Sequence, residues 1–415
     1  MMKRTILYAA LAATLLITSC GSSRQTVAYA PAPYATQPTQ VGETPVVVPQ
    51  RASRRETAEV RLARRLDSLV VAENLLLSQS QLGLHVIDLN TGMVLYARGE
   101  HQRMRPASTE KVVTAISALA LLGPQYTLDT KLLATGPIHG GVLQGDLYVR
   151  GCMDPLLSVA DVRNMVGQLR AAGVQRITGR LVGDASFKDN DDYGWGWCWD
   201  DKNPVLSPML CGGKPGLVME LRQALQRAGI RIGAVVVGRT PAGARELVVL
   251  RRPLTQVLEP MMKKSDNLCA EAVFYQMGGD RKQVATRMTQ VVGPESAAMI
   301  ADGSGLSLYN YQTPATFTRL LAFAAAQQEN IFQPLLAALP VAGVDGTLRN
   351  RMAGTAAAVA VRAKTGTVTG VSSLVGYTTQ RSTNHVLAFA IMNQGVPTGA
   401  QGRAFQDEVC RLLSE

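Results

Sequence analysis

Hydrophobic and polar positions divide this chain of 415 residues into stretches of different periodicity. Apolar residues three and four apart between charged ones predict a helix over residues 56–79. Strand-like runs on both sides of a turn at Gly92 predict a hairpin over residues 83–97. A run of helix formers closed by Gly123 then predicts a second helix over residues 107–122. This order of elements indicates a mixed helix and sheet domain.

The pattern changes in the middle of the chain, over residues 125–260. Short strand-like runs alternate there with turn residues and with two helical stretches, residues 160–172 and 217–228. The short runs cover residues 143–149, 181–184 and 234–237. We therefore predict an inserted α+β domain over residues 125–260.

The last third of the chain returns to a longer helical pattern and closes on strands. Predicted helices cover residues 255–277, 313–328 and 404–413, and a glycine-rich loop covers 302–307. Three strand-like runs cover residues 358–364, 370–378 and 386–393. Because helices, a hairpin and three strands flank the insertion, we predict an α/β (α+β) fold in which helices cover an antiparallel sheet. Residues 56–124 and 261–415 would form this domain together.

The first twenty residues have the pattern of an export signal. Two basic residues precede an apolar run over residues 6–17, and small residues follow up to Cys20. This ending resembles a bacterial lipobox, in which the cysteine is lipidated and becomes the new N-terminus. A plain signal peptide with an incidental cysteine is the alternative. We predict a lipoprotein signal peptide over residues 1–20, lipidation at Cys20 and, from the proline-rich composition, a disordered linker over residues 21–55.

The composition limits the partners and the metal chemistry. A formal net charge of +11 would fit nucleic acid, an anionic membrane or a carboxylate-bearing polymer. Aromatic residues make up only 5% of the chain and are not interleaved with basic runs, which argues against nucleic acid. The chain has no His-x-His, His-Glu-x-x-His or Cys-x-x-Cys pattern, so we expect no metal site.

Six cysteines bear on the redox state of an exported protein. If Cys20 carries lipid, five remain, and a monomer keeps at least one free thiol. Cys198 and Cys211 flank a loop that contains one tryptophan and two prolines, and we hypothesise a disulfide between them, with two buried free thiols as the alternative. An overlapping loop over residues 193–201 holds all three tryptophans, and we interpret it as a packed loop rather than a ligand platform. The sequence leaves the oligomeric state open.

Three short motifs carry candidate chemistry. The motifs are Ser108-x-x-Lys111, Ser265-Asp266-Asn267 and Lys364-Thr365-Gly366. Ser108 and Lys111 lie about one helical turn apart, so a lysine desolvated by burial can activate the serine hydroxyl. Lys364 can hold a carboxylate, and the glycine after it permits a close approach of the backbone. A second Ser-x-Asn, at residues 382–384, falls in an expected hairpin turn, and we interpret it as structural.

The three motifs in this order are the signature of class A β-lactamases and penicillin-binding proteins. The chain further resembles the penicillin-binding protein 4 family, the DacB-type D-alanyl-D-alanine carboxypeptidases/endopeptidases, over roughly residues 80–413. The segments that carry this resemblance are residues 145–148, 263–271, 302–307 and 339–348. The chain departs from the family in its short insertion and at Leu308, where the family has arginine. These departures bear on substrate preference more than on the chemistry.

The resemblance implies a DD-peptidase/serine β-lactamase-like transpeptidase fold and acyl transfer without a cofactor. Ser108 would attack the carbonyl between two D-alanines, with Lys111 as the base. Ser265 and Lys364 would relay a proton to the leaving amine, and Asn267 would hold the substrate amide. These five side chains are the expected catalytic set.

The same resemblance implies that Thr365, Gly366 and Thr367 bind the substrate. Both threonines would bind the terminal carboxylate, and the backbone N–H groups of Ser108 and Thr367 would form the oxyanion hole. The implied partners are peptidoglycan stem peptides and β-lactams, with penicillin acting as an inhibitor. The implied location is the periplasmic side of the bacterial cell envelope, with the chain tethered to a membrane through Cys20.

Two other functions share parts of this pattern. A serine β-lactamase would need a deacylating base, but the Glu-x-x-x-Asn pattern typical of class A enzymes occurs nowhere in the chain. The insertion also argues against a β-lactamase. A catalytically silent, lipid-tethered wall-binding protein would keep the fold without turnover, and the intact motifs argue against it. A serine-type D-Ala-D-Ala carboxypeptidase/endopeptidase is therefore the predicted function.

Overall fold

The computed structural model describes residues 57–76, 80–200, 202–293 and 298–415. The predicted signal peptide, the predicted lipidation site Cys20 and the predicted linker over residues 21–55 lie outside the described residues. All of these described residues belong to one compact unit. Within the described ranges, no helix has the length and the apolar character that crossing a membrane requires.

The regular elements are numbered in chain order. The α-helices are α1 (Ala58–Leu76), α2 (Glu110–Leu122), α3 (Val159–Ala171), α4 (Leu217–Arg227), α5 (Leu254–Lys263), α6 (Asn267–Gln276), α7 (Arg281–Val292), α8 (Pro314–Ala326), α9 (Gln333–Ala338) and α10 (Gly399–Ser414). The strands are β1 (Gln81–Asp88), β2 (Val94–Arg98), β3 (Thr127–Ala134), β4 (Ile138–His139), β5 (Val142–Leu143), β6 (Leu147–Arg150), β7 (Arg176–Ile177), β8 (Leu181–Asp184), β9 (Leu210–Cys211), β10 (Lys214–Pro215), β11 (Val235–Val237), β12 (Arg245–Pro253), β13 (Arg362–Val368), β14 (Val371–Thr379) and β15 (Val386–Gln394). Short 3₁₀ helices cover Ala107–Thr109 and Gly346–Leu348, and a π-helical turn covers Gln328–Phe332.

The first sheet has five strands in the order β13-β14-β15-β1-β2, each antiparallel to its neighbours. Helices bury both faces: α2 and α8 share a hydrophobic core with one face, and α1 and α10 share a core with the other. Strand β15 alternates between the two cores, with Met392 in the first and Phe389 in the second. This arrangement is the antiparallel sheet covered by helices that the sequence predicted.

Strand β13 starts later than predicted. Residues 358–360 form turns, with Val359 at a positive φ of 66°, and the strand begins only at Arg362. A β-branched residue with positive φ cannot continue a strand. The third motif, which begins at Lys364, therefore lies inside β13 at the edge of the sheet rather than at a strand end.

The helical stretch predicted over residues 255–277 is two helices. The first helix, α5, ends at Lys263, and α6 begins at Asn267, because Ser265 adopts a positive φ of 59° that a right-handed helix does not allow. The Asp266 side chain then caps α6 by accepting a hydrogen bond from the backbone N–H of Cys269 at 2.9 Å. The break puts Ser265 on a turn between two helices, where its hydroxyl can face another element.

The second sheet is built within the predicted insertion and has the order β11-β8-β6-β3-β12. Strands β6, β8 and β11 are parallel, α3 and α4 pack in the core of one face, and β3 and β12 complete the sheet as antiparallel strands. The predicted helices and the runs at β8 and β11 fall within a few residues of the observed elements. The sequence prediction missed β3 and β12, and the run predicted over residues 143–149 is split between β5 and β6. Residues 125–260 stay our proposed bounds of the inserted domain.

The hypothesised disulfide between Cys198 and Cys211 is wrong, because both residues are free thiols. Cys211 is buried in the core of the second sheet, whereas Cys198 lies on the partly exposed tryptophan loop. The packing of that loop is uneven. Trp197 donates a hydrogen bond from Nε1 to a buried carboxylate at 2.7 Å, while Trp199 is 95% exposed. The packed-loop interpretation holds for Trp197 and not for Trp199.

Candidate active site

Ser108 lies in the 3₁₀ turn that immediately precedes α2. Thr109 holds the turn, because its Oγ1 donates to Pro106 O at 2.6 Å. Ala107 takes a positive φ of 49°, and Gly305, with a φ of +83°, packs so closely that a Cβ there would lie 1.9 Å from Ala107 O. The predicted helix therefore begins with a strained turn, backed by the glycine-rich loop, that carries the Ser108 hydroxyl.

Lys111 is completely buried in the first turn of α2. Its Nζ donates to two groups that can only accept, Ser304 O at 2.7 Å and Asn267 Oδ1 at 2.8 Å. Its third polar neighbour is Ser108 Oγ at 3.1 Å. A neutral amine has two N–H bonds and one lone pair, so with both N–H bonds engaged the lone pair is left for the Ser108 hydroxyl. The arrangement can take a proton from Ser108.

The environment of Lys111 brings its pKa close to neutral pH. Burial lowers the pKa from the ordinary 10.5 to about 8, while the negative charges of Asp302 and Glu271 act in the opposite direction. A general base works best when its pKa lies near the working pH. A sizeable fraction of the amine is then neutral, and the neutral amine still binds a proton well.

A second buried amine contacts a second hydroxyl. Lys364 Nζ donates to Ser265 Oγ at 2.9 Å and to Thr365 O at 2.8 Å. Its side chain is completely buried, and burial lowers the pKa of Lys364 well below its usual range; the positive charge of Lys111 lowers it further. The effect of one charge on the other amine means that the two amines lie near each other.

Strand β13 runs close to the Ser108 turn. At Gly366 a Cβ would lie 2.5 Å from Pro106 O and 3.0 Å from the backbone N of Thr109, so only glycine permits this approach. The backbone N–H of Ala363 points away from the sheet, since it donates to Pro340 O at 3.0 Å. Residues two and four further along a strand share that direction. The N–H groups of residues 365 and 367 therefore point to the open edge of the sheet.

Two buried carboxyl groups beside Lys111 were not predicted from the sequence. Glu271 accepts hydrogen bonds from the backbone N–H groups of Ser304 at 2.8 Å and Gly303 at 3.3 Å, and burial raises its pKa to about 8. Glu110 is completely buried, accepts from Gln312 Nε2 at 3.0 and 3.1 Å, and has a pKa raised well above its usual range by burial. Both glutamates lie inside the motif segments, but only the fold reveals their burial.

Asp302 organises the glycine-rich loop. It accepts hydrogen bonds from the backbone N–H groups of Gly305 at 2.8 Å and Ser307 at 2.7 Å, from Asn310 Nδ2 at 2.6 Å and from Trp197 Nε1 at 2.7 Å. Four donors to one buried carboxylate fix the loop that supplies the Ser304 carbonyl to Lys111.

The structure brings the five predicted catalytic side chains into one cluster. Lys111 joins Ser108 to Asn267, and Lys364 contacts Ser265. The three predicted substrate-binding residues follow on β13: Thr365 donates from Oγ1 to Thr347 Oγ1 at 2.9 Å, Gly366 is buried, and Thr367 is exposed. The second Ser-x-Asn lies apart, in the turn between β14 and β15. Across the described part of the chain, no group of His, Cys, Asp and Glu side chains is arranged to hold a metal ion.

Comparison with known proteins gives consistent matches. The sequence model of the D-Ala-D-Ala carboxypeptidase 3 (S13) family matches residues 62–210 and 216–415. A carboxypeptidase of Mycobacterium tuberculosis is 32% identical over 76% of this chain and 76% of its own length. A D-alanyl-D-alanine carboxypeptidase of an Actinomadura species is 28% identical over 85% of this chain and 84% of its own. The crystal structure of penicillin-binding protein 4 (DacB) from Haemophilus influenzae superposes with a TM-score of 0.75 at 23% identity, over 82% of this chain and 99% of that one. This last match confirms the predicted fold.

Proposed function

The chain belongs to the D-Ala-D-Ala carboxypeptidase 3 (S13) family, and from this membership and the geometry of the site we propose that it cleaves the bond between two D-alanines through an acyl-enzyme on Ser108. The substrates are the stem peptides of peptidoglycan. Cleavage of a terminal D-Ala-D-Ala is carboxypeptidase activity, and cleavage of a peptide cross-link that ends in the same kind of bond is endopeptidase activity.

One observation carries this proposal: the hydrogen-bond pattern of Lys111. Both N–H bonds of the neutral amine are used by Ser304 O and Asn267 Oδ1, at 2.7 and 2.8 Å, and Ser108 Oγ lies 3.1 Å away. The lone pair accepts the hydroxyl proton as the Ser108 oxygen attacks the substrate carbonyl. A lysine in this state needs no further base, and its pKa of about 8 fits the role.

The rest of the reaction uses the second amine. When the tetrahedral intermediate collapses, the C–N bond breaks and the leaving amine takes a proton through Ser265 and Lys364, which lie 2.9 Å apart. The N–H groups of Ser108 and Thr367 stabilise the oxyanion, a contribution of about 3–4 kcal/mol per donor. Asn267 holds the substrate amide, and Thr365 and Thr367 bind its terminal carboxylate. Water then hydrolyses the ester and regenerates the Ser108 hydroxyl.

β-Lactams are the proposed inhibitors. A β-lactam carbonyl would acylate Ser108 in the same way, but its amine stays attached to the acyl group and cannot leave. A structure of the Haemophilus influenzae protein in complex with a novel β-lactam has this fold, with a TM-score of 0.67. Slow release of the adduct is the expected difference from a β-lactamase.

The proposed place of action is the cell envelope, where peptidoglycan lies. We propose that the export signal delivers the chain to the periplasmic side and that lipid on Cys20 tethers it to a membrane. Mass spectrometry of the purified protein would detect the lipid, and a Cys20→Ala form released into the soluble fraction would support the tether. A Cys20→Ala form that stays in the membrane fraction would contradict it.

The test of the reaction is acylation followed on intact protein. Incubation with penicillin is expected to add one penicillin mass, located by peptide mapping to Ser108, and the wild type is expected to release D-alanine from a tripeptide ending in D-Ala-D-Ala. Ser108→Ala is expected to lose both signals. Ser117→Ala, on the same helix with a hydroxyl that has no hydrogen-bond partner among the described residues, is the matched control and is expected to keep both.

Two results would replace this proposal. Rapid penicillin turnover, without a lasting adduct, would make the protein a serine β-lactamase. A folded protein with neither an adduct nor D-alanine release would make it a silent wall-binding protein.

A further inference from the structure

Two segments within the predicted insertion have an unusual charge composition. Residues 162–183 and 221–245 together contain nine arginines and no aspartate or glutamate. The fold joins the two segments: β8 pairs with β11, and Arg176 forms a parallel bridge with Arg231. The chain thus concentrates positive charge in one part of the second sheet.

Five of these arginines lie at one end of the sheet, which we call the arginine edge. Strands β6, β8, β11 and β12 begin there, and α3 and α4 end beside their starts. The exposed arginines of the edge are Arg170, Arg176, Arg227, Arg231 and Arg245.

The charges of the arginine edge are not balanced within the chain. Throughout the described ranges, none of its five arginines forms an ion pair. The two acidic residues near the strand starts are already engaged, Asp146 by Arg180 and Glu246 by Lys131, each at 2.7 Å. The edge therefore carries an excess of positive charge that faces solvent.

Stability of the fold explains only part of this excess. Arg170 and Arg227 lie in the last turns of α3 and α4, where a positive charge complements the helix dipole. Arg176 and Arg231 sit side by side on paired backbone segments, and like charges in such positions are unfavourable. Arg245 starts a strand and has no helix end to complement. An external anion would relieve this repulsion.

The arginine edge is remote from the catalytic cluster. The chain enters the second sheet at Thr127 and leaves it at Pro253, which pair with each other at the opposite end of the sheet. Strand β3 has eight residues and spans about 25 Å between the two ends. A ligand at the arginine edge would therefore touch none of the reacting groups.

From these observations we propose that the arginine edge is a second binding site for peptidoglycan, which it recognises through the repeated carboxylates of the polymer. The proposal rests on the proposed function, since that function makes the polymer a substrate. The planar guanidinium matches a carboxylate with two parallel hydrogen bonds. A remote contact would keep the enzyme on its polymer between turnovers by raising the local concentration of substrate.

The surface around the edge favours a polymer over a lipid bilayer. Proteins that bind a membrane surface bury large apolar side chains between their basic ones. In the described residues 162–183 and 221–245, the one exposed large apolar side chain is Val237, which lies at the end of β11 away from the arginine edge. The arginine edge therefore presents charged groups without large apolar side chains, and such a surface suits a hydrated polyanion.

The experiment measures retention of full-length Ser108→Ala protein, which cannot turn over substrate, on purified peptidoglycan sacculi in mild detergent. Two triple variants lower the net charge equally. The edge variant is Arg176→Gln, Arg231→Gln and Arg245→Gln. The control variant is Arg163→Gln, Arg222→Gln and Arg239→Gln, three exposed or half-exposed arginines of the same two segments away from the edge. Equal melting temperatures of the variants would show that both are folded.

The edge variant is expected to bind sacculi about tenfold more weakly than the control variant, since each surface ion pair contributes modestly. Blocking the sacculus carboxyls as amides is expected to remove the difference. Equal loss in both variants would overturn the proposal, and so would a difference that appears only on vesicles of anionic phospholipid. In the active background, both variants are expected to hydrolyse the small tripeptide normally. Failure of the wild type on that tripeptide would instead contradict the proposed function, and the binding assay distinguishes the two because it needs no turnover.

Discussion

The two lysines of the site have the same chemistry and different surroundings. Both are completely buried, and both lie about 3 Å from a serine hydroxyl, at 3.1 Å for Lys111 and 2.9 Å for Lys364. Lys111 has the carboxyl groups of Glu271 and Asp302 near it, which counteract burial and leave its pKa at about 8. Among the described residues, the charged group that acts on Lys364 is Lys111 itself, so its pKa stays well below the usual range.

This difference suits two separate tasks. Lys111 can exchange a proton near neutral pH without help from a ligand. Lys364 is expected to stay neutral until a negative group binds beside it, because an anion nearby favours the ammonium form. The terminal carboxylate of the proposed substrate is such a group. The comparison therefore predicts that Lys111 is a base in the free enzyme, whereas the charge of Lys364 depends on the substrate.

Replacing Lys111 should have the largest effect. Lys111→Met keeps the length of the side chain and removes the amine, so the rates of peptide cleavage and of penicillin acylation are expected to fall by about 10³- to 10⁴-fold. The measurement is kcat/KM on the tripeptide and the acylation rate on intact protein. Lys282→Met, on the exposed surface of α7, is the matched control. A loss below tenfold would mean that another group removes the proton.

Replacing Lys364 should cost less and should depend on the substrate. Lys364→Met is expected to lower kcat/KM about 10²- to 10³-fold on a peptide with a free C-terminal carboxylate. On the corresponding C-terminal amide the loss is expected to be much smaller, because that substrate offers no charge to the amine. Equal losses on the two substrates would show that the charge of Lys364 does not depend on the carboxylate.

Removing the hydroxyl partner of Lys364 should have a still smaller effect. Ser265→Ala is expected to lower kcat about 10²-fold by interrupting proton delivery to the leaving amine. Because residue 265 has a positive φ of 59°, Ser265→Gly is needed as a second variant that removes the hydroxyl without backbone strain. Ser382→Ala, in the other Ser-x-Asn, is the control. Normal activity of Ser265→Gly would exclude the hydroxyl from the reaction.

Part of the arrangement around the two lysines could be predicted from the sequence. The spacing of Ser108 and Lys111 on a helix predicted that these two side chains lie close together, because helical periodicity is determined within a short segment. The order of the three motifs along the chain predicted the other contacting groups, because that order can be read directly from the sequence. The antiparallel sheet and most of its helices followed from hydrophobic periodicity for the same reason. Such features could be predicted because short segments determine them.

Features set by tertiary packing could not be predicted. The break at Ser265 depends on a single left-handed residue and a cap, within a stretch whose composition favours a continuous helix. The free thiols at Cys198 and Cys211 reflect where two distant segments come to lie, which cysteine spacing does not encode. The burial of Glu271 is a third feature that only the packing of distant segments determines.

Glu271→Gln should have the smallest effect on rate and the most informative one. The Glu271 carboxylate accepts from the N–H of Ser304, whose carbonyl in turn holds Lys111, at 2.8 and 2.7 Å. The variant is expected to lose about tenfold in the limiting rate, because one hydrogen bond to a charged acceptor is weakened. Glu271 has a pKa of about 8 and, where it is ionised, its negative charge raises the pKa of Lys111; the uncharged side chain in Glu271→Gln is therefore expected to lower the pKa of Lys111 and to enlarge the neutral fraction of the amine around pH 8. The rate of the wild type should rise with pH through about 8, the pKa of Lys111, and the rise in Glu271→Gln should lie at lower pH. A pH–rate profile of penicillin acylation measures both changes, and a purely structural loss would lower the rate without moving the profile.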